Sequence, residues 1–387
     1  MTVEIEDHKN IRILAMNDGK LNCQSKPLRI ALLEGLEAAA ADSSCRAVVL
    51  LGRGRVFSAG ADINEFDAPP ETVEPHLNFV LIDAIESMPV PVIAAIHGTA
   101  VGGGLELALG CHYRVATPNA MLGLPEVTLG LMPGAGGTQR LPRAIGLESA
   151  LNLMLSGRTI PADEMPAGLV DRIVDGDLEE AALAFAREIA DVRPMPLLRQ
   201  TKINYPDYEG FLEFARGAAA NDPRKMPGVI PVIDAVESAV RDPIEKAMLT
   251  EWQVFERLRT SAESAPFRYA FLAERKTVKI ADIKSRPEPQ SLKTAAVIGA
   301  GSMGAGIAVS LAEAGLAVKL LDTSAEALER GVKKCVSIWT KARDRGRIDD
   351  GKLKARIAAL TTASTYEEIA DCDLVVEAVL EEMPVKR

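Results

Sequence analysis

Between Ile93 and Arg140 the chain runs IAAIHGTAVGGGLELALGCHYRVATPNAMLGLPEVTLGLMPGAGGTQR, and no other stretch narrows the possible folds as much. An apolar strand meets three consecutive glycines, Gly102, Gly103 and Gly104, and a short apolar helix follows with one acid, Glu106. A second acid, Glu126, stands in a Leu-Pro-Glu-Val turn ahead of another glycine-rich loop at Gly134, Gly136 and Gly137. Glycines let a ligand approach the backbone and leave N–H groups bare. A helix N-terminus at the same place adds positive potential. A lone Glu on a helix ordinarily faces water. Glu106, however, is flanked by Leu105, Leu107, Ala108 and Leu109, which predicts a helix buried nearly all round. A buried acid without partners or a task is costly. Two carboxylates beside bare N–H donors suit proton transfer next to a stabilised oxyanion. Pro89, Pro91, the glycines, His97 and Glu106 argue against a membrane span over 88–110.

This stretch resembles the signature of the crotonase (enoyl-CoA hydratase) superfamily. Both glutamates, the Gly-Gly-Gly-Leu-Glu run and the Pro-Gly-Ala-Gly-Gly-Thr-Gln-Arg run stand where that family has them. A further marker is Phe57-Ser58-Ala59-Gly60-Ala61-Asp62. His112 departs from the pattern, since many members carry Asp after the Cys. The resemblance implies an α/β fold, a spiral of strand-strand-helix turns, acting on a CoA thioester. It implies catalysis by Glu106 and Glu126, without assigning which acid does what. The N–H groups of Ala61 and Gly103 would form the oxyanion hole. Gly60, Asp62, Gly102, Gly104, Pro133 and Gly134 would lie against the substrate, with Arg53 and Arg55 as candidate phosphate partners.

At 387 residues, two or three domains are expected rather than one core. A net charge of -10 argues against a nucleic-acid surface. Cys23, Cys45, Cys111, Cys335 and Cys372 show no Cys-x-x-Cys spacing, which points to reduced thiols in a cytoplasmic setting and to no metal site. The opening MTVEIEDHKN is too polar for a signal peptide, and no segment reads as a membrane span. Strands are predicted over 11–16 and 46–51 and a helix over 27–41, with strand, helix and loop alternating to about residue 187. Between Val192 and Pro231 prolines accumulate, and helical periodicity returns over 232–241 and 243–273. The expected division is a hydratase module over 1–190, a helical linker region over 191–290 ending in the stiff polar segment 285–290, and a further domain over 291–387.

In that last part a strand opens into Gly299-x-Gly301-x-x-Gly304 and an Ala-rich helix, and a second strand ends at Asp322. Framed this way, the glycine pattern is a dinucleotide fingerprint. Gly299, Gly301, Ser302, Met303 and Gly304 would take the pyrophosphate, and Asp322 the ribose 2′-OH, favouring NAD over NADP. The segment resembles the start of a 3-hydroxyacyl-CoA dehydrogenase, a partial Rossmann-type domain expected to have three strands, and 373–379 fits a later strand. The whole chain is similar to the multifunctional β-oxidation enzymes, in which the complete protein hydrates an enoyl-CoA and oxidises the product with NAD. That likeness also implies a thiolase partner and leaves the oligomeric state open. All four histidines, His8, His76, His97 and His112, precede the fingerprint, so the base that alcohol oxidation needs is missing and no NADH is expected from this chain. The alternatives are an isomerase, which needs only the acid at Glu126, another acyl-CoA enzyme of the superfamily, or a non-catalytic CoA- or NAD-binding subunit.

Overall fold

The computed structural model describes residues 2–67, 74–277 and 291–386. The stiff segment expected over 285–290 lies outside them. Contacts divide the chain into two compact units, Met1–Ile280 and Ala281–Arg387. Composition suggests a boundary near residue 190, but the helices beyond it belong to the first unit.

The first unit is built on a six-stranded sheet in the order β1 (Val3–His8), β2 (Ile11–Met16), β3 (Ala47–Gly52), β4 (Val92–Ile96), then β6 (Tyr113–Ala116) and β9 (Arg172–Ile173). β1 pairs antiparallel with β2, and the remaining pairs are parallel. Strands buried on both faces read as continuous apolar runs, and β3 and β4 are buried at every position. Alternate residues divide between two cores. Ile13, Val49, Ile93 and Val115 pack with α6 (Leu178–Ile189) on one side, through Ala182, Phe185, Ala186 and Ile189. Leu14, Val48, Leu50, Ala94 and Ile96 face the larger core, with Leu28, Leu32 and Leu36 of α1 (Lys26–Ala41). β1 was not expected from the sequence. Its VEIEDH run is a charged edge strand, buried mainly at Val3, so it carries no apolar signal.

Between the main strands the chain repeatedly steps out into a small second sheet, β5 (Thr99–Val101), β7 (Met121–Gly123) and β8 (Ile160–Pro161), before entering a helix. β4–β5–α3 (Gly103–Gly110) is the turn that carries the glycine run, and after β6–β7 come α4 (Gly137–Ile145) and α5 (Leu147–Ser156). This is the expected strand-strand-helix spiral. A short helix α2 (Asp83–Glu86) precedes β4. The region of many prolines holds α7 (Tyr208–Ala220), followed by α8 (Val229–Arg241), α9 (Ile244–Arg259) and α10 (Ala265–Thr277). The single run expected over 243–273 is thus two helices, and α8 and α9 pack on α4.

The second unit is a parallel sheet in the order β12 (Leu360–Ala363), β11 (Ala317–Leu321), β10 (Thr294–Ile298), β13 (Leu374–Glu377). It has four strands rather than the three expected. β12 follows α13 (Asp350–Ala359) directly, and its LTTA run carries neither an apolar stretch nor a turn signal. α11 (Ser302–Glu313) and α12 (Ala325–Asp344) pack through Ala305, Ala308, Cys335 and Trp339.

Candidate active site

Three chain segments converge around the glycine run. The loop after β3 is tied down by two isolated parallel bridges, Ser58 to Ala100 of β5 and Ala61 to Gln24. These bridges bring Gly60 and Ala61 against the start of α3. A Cβ at Gly60 would stand 3.3 Å from Gly103 N, and one at Gly103 would stand 3.3 Å from Ala61 N. Neither N–H has an acceptor among the described residues. Gly102 has φ +54, a backbone region L side chains rarely adopt, and a Cβ there would come within 3.1 Å of Glu126 Oε1.

All eight residues of α3 are buried, as the sequence predicts, and Glu106 is 3 % exposed. Its Oε1 accepts from the N–H of Ala135 at 2.8 Å and of Gly137 at 2.9 Å. Burial pushes the Glu106 carboxyl above its ordinary pKa, opposed by those two donors and by the positive Arg140. Glu126 opens a single helical turn, and its buried Oε2 has no partner among the described residues. Burial raises its carboxyl well above the ordinary value, and the negative charges of Glu106 and Glu251 raise it further. The two acids therefore differ. Glu106 has donors that favour the ion and partly oppose its burial, whereas burial and the neighbouring negative charges all favour the protonated form of Glu126.

Glu251 was not anticipated. It comes from α9, is 0 % exposed, and accepts from Gly136 N at 2.5 Å, from Thr138 N at 3.0 Å and from the Thr138 hydroxyl. Burial, and then the charge of Glu106, push its carboxyl up to about 8. Arg140, 1 % exposed, lies beside the same loop and makes a two-pronged ion pair with Glu86 at 2.9 and 3.0 Å. Gly136 has φ +91, and a Cβ on it would collide with the Arg140 guanidinium at 1.9 Å.

A cavity of about 690 Å³ opens onto these groups. Gly60, Ala61, Asp62, Gly102, Gly103, Glu106, Glu126 and Gly134 line it together. Gly104 and Pro133 do not: a Cβ on Gly104 would meet Ser58 O at 2.5 Å, and Pro133 packs against Gly137 behind the wall. Arg53 and Arg55 are also absent from the lining. Arg53 instead contacts Glu4, Glu6 and Glu179, at 3.3 Å to Glu4 and 2.6 Å to Glu179. The cations that reach the cavity are Arg29, Arg259 and Arg275, the last two on α9 and α10. His112, where the family pattern is broken, accepts from Val92 N through Nδ1 at 3.0 Å. Burial depresses its pKa to about 4, which makes it a neutral strut for β4.

In the second unit, Gly299 has φ +103 and Gly304 packs on it so closely that a Cβ would lie 1.7 Å from Gly299 O. Ser302 and Met303 are exposed at the start of α11, and their N–H groups have no acceptor among the described residues. Asp322 follows β11 and accepts from Ala300 N at 2.8 Å and Ser324 N at 3.0 Å. The strand order places this loop where β10 is flanked by β11 and β13, the point at which such sheets reverse direction and bind ligands. Bare N–H groups at a helix start and a carboxylate with spare lone pairs fit a dinucleotide.

Residues 6–206 match the enoyl-CoA hydratase/isomerase family, and residues 294–387 match the 3-hydroxyacyl-CoA dehydrogenase NAD binding domain. The chain is similar to the peroxisomal bifunctional enzyme of Homo sapiens, 38% identical over 98% of this chain and 53% of that protein. It is also similar to the peroxisomal fatty acid beta-oxidation multifunctional protein of Arabidopsis thaliana, 33% identical over 100% of this chain and 55% of that protein. The chain thus spans about half the length of these curated relatives. Among solved structures, an enoyl-CoA hydratase/isomerase from Pseudoalteromonas atlantica is 26% identical with a TM-score of 0.53, covering 71% of this chain and 98% of that one.

Proposed function

The chain belongs to the enoyl-CoA hydratase/isomerase family, and from that premise we propose that its first unit adds water to a trans-2-enoyl-CoA to give the 3-hydroxyacyl-CoA. One observation carries the reading: the N–H groups of Ala61 and Gly103, which have no acceptor among the described residues, and two carboxylates in unlike surroundings line a single cavity. The thioester oxygen accepts from Ala61 N–H and Gly103 N–H. These donors stabilise the negative charge that moves onto that oxygen as water attacks C3, and losing one such donor costs ~3 kcal/mol of barrier. Glu106, whose ionised form accepts from the N–H groups of Ala135 and Gly137, takes the proton from the attacking water. Glu126 keeps its proton until C2 of the enolate needs it, then delivers it. The proton now on Glu106 restores the balance when it is passed back to Glu126 through the cavity. Gly60, Asp62, Gly102 and Gly134 shape the wall, and the exposed Arg275 is the cation placed to meet an anionic CoA, while Arg29 and Arg259 pair with Glu65 and Glu256.

The second unit is proposed to be the NAD-binding part of a 3-hydroxyacyl-CoA dehydrogenase, so that the product of one site is the substrate of the next. NAD, when bound, supplies the hydride acceptor. Gly299, Gly301, Ser302, Met303 and Gly304 would hold its pyrophosphate, and the Asp322 carboxylate would accept from the ribose 2′-OH and repel a 2′-phosphate. No described helix is long and apolar enough to cross a membrane. The five thiols are unpaired, which supports a reducing compartment: cytoplasm is the sequence-based choice, while the relatives' names say peroxisome. A thiolase partner is proposed on family likeness alone, and co-purification would test it. The catalytic proposal is tested by following the enoyl absorbance of crotonyl-CoA with the purified chain. Its loss, dependent on enzyme concentration, is expected, and an unchanged absorbance would reject hydration.

A further inference from the structure

The loop after Pro133 and the first two residues of α4 offer four consecutive N–H groups to two buried acids. Ala135 and Gly137 donate to Glu106, while Gly136 and Thr138 donate to Glu251. Glu251 does not line the cavity, so it touches no substrate. We propose that Glu251 is a positioning residue for the hydration reaction, aligning Glu106 through the Ala135–Thr138 loop. The inference rests on the hydratase reading for its kinetic consequence but not for its structural one.

The geometry gives the reason. Residues 134–138 contain three glycines, so nothing in the loop's own sequence fixes its conformation. A side chain whose orienting donors move by about 1 Å can lose roughly 10²-fold in rate. α9 supplies the clamp from a sequence position 113 residues beyond Thr138. The groups that face Glu251 are Glu106 of α3 and Arg140 and the Thr138 hydroxyl of α4, with Glu126 within electrostatic reach. The Thr138 hydroxyl also accepts from the Gln139 side chain at 2.9 Å, which extends the clamp towards α8 through Ala235 O.

The test is amide hydrogen exchange on the intact chain carrying Glu251→Ala, with Glu251→Gln as a shape-preserving second variant. Faster exchange is expected at Gly136 and Thr138 in either variant. The decisive sites are Ala135 and Gly137, which never touch Glu251: their exchange should rise at least tenfold in Glu251→Ala and less in Glu251→Gln. Unchanged exchange at Ala135 and Gly137 overturns the inference, whether or not the chain hydrates crotonyl-CoA. Where hydration is measured, kcat should fall about tenfold or more with KM within about twofold. A rise in KM at constant kcat would place Glu251 in substrate binding and also overturn it.

Discussion

At the residue scale, the site depends on carboxylates whose environments pull them apart. Glu106→Gln and Glu126→Gln should each lower kcat by about 10²-fold or more with little change in KM, because general acid–base contributions act in the transition state. Steady-state kinetics with crotonyl-CoA would check this, and near-normal hydration by either variant would remove that residue from the mechanism. A second prediction concerns Glu251, whose carboxyl burial pushes up to about 8. Between its ordinary value of 4.5 and about 8, the folded chain keeps a proton that the unfolded chain has released. Stability therefore falls as pH rises through this window and levels off above it. Thermal melts should show Tm declining from pH 5 to 8 in the wild type and a shallower decline in Glu251→Gln. Equal slopes would mean that Glu251 is ionised in the fold. Glu106 and Glu126 were legible in the sequence because glycines and leucines crowd them. Glu251 was not, since in the run TEWQVFERLR its charge resembles that of Glu256, which pairs with Arg259, and its burial arises only when α9 meets a distant loop. Arg53 misled for the same reason, its partners Glu4, Glu6 and Glu179 being remote in sequence.

At the scale of elements, the strand-strand-helix repeat follows from apolar runs punctuated by glycine, so the spiral around β4, β5 and α3 could be anticipated. The helices after residue 207 could not be assigned to the first unit, because their amphipathic periodicity says nothing about which surface they cover. One buried cation ties α4 to its surroundings: Arg140 of α4 meets Glu86 of α2, Asn78 and Ala135 O, while Arg199 shares Glu86 at 3.1 Å. Removing one partner of a buried pair leaves the other charge uncompensated, at a cost of about 3–5 kcal/mol. Arg140→Met should fall near the lower end, about 3 kcal/mol, because Arg199 still faces Glu86. Urea unfolding would measure it, and a loss below about 1 kcal/mol would show that the pair contributes little to holding α2 against α4.

At the scale of the whole molecule, two units lie on one chain, and under the proposed function the first would make what the second would consume. No histidine lies within residues 281–387, so this chain, given 3-hydroxybutyryl-CoA and NAD, should form no NADH. Measurable NADH would mean that another side chain serves as the base. Under the proposed mechanism, water activated between Glu106 and Glu126 becomes the 3-hydroxyl of the product. Mass spectrometry of the product formed from crotonyl-CoA in ¹⁸O-labelled water follows that oxygen. The expected product is 3-hydroxybutyryl-CoA carrying the label on its C3 oxygen. Recovery of an isomerised enoyl-CoA, of free CoA with a labelled acid, or of unaltered crotonyl-CoA would contradict it.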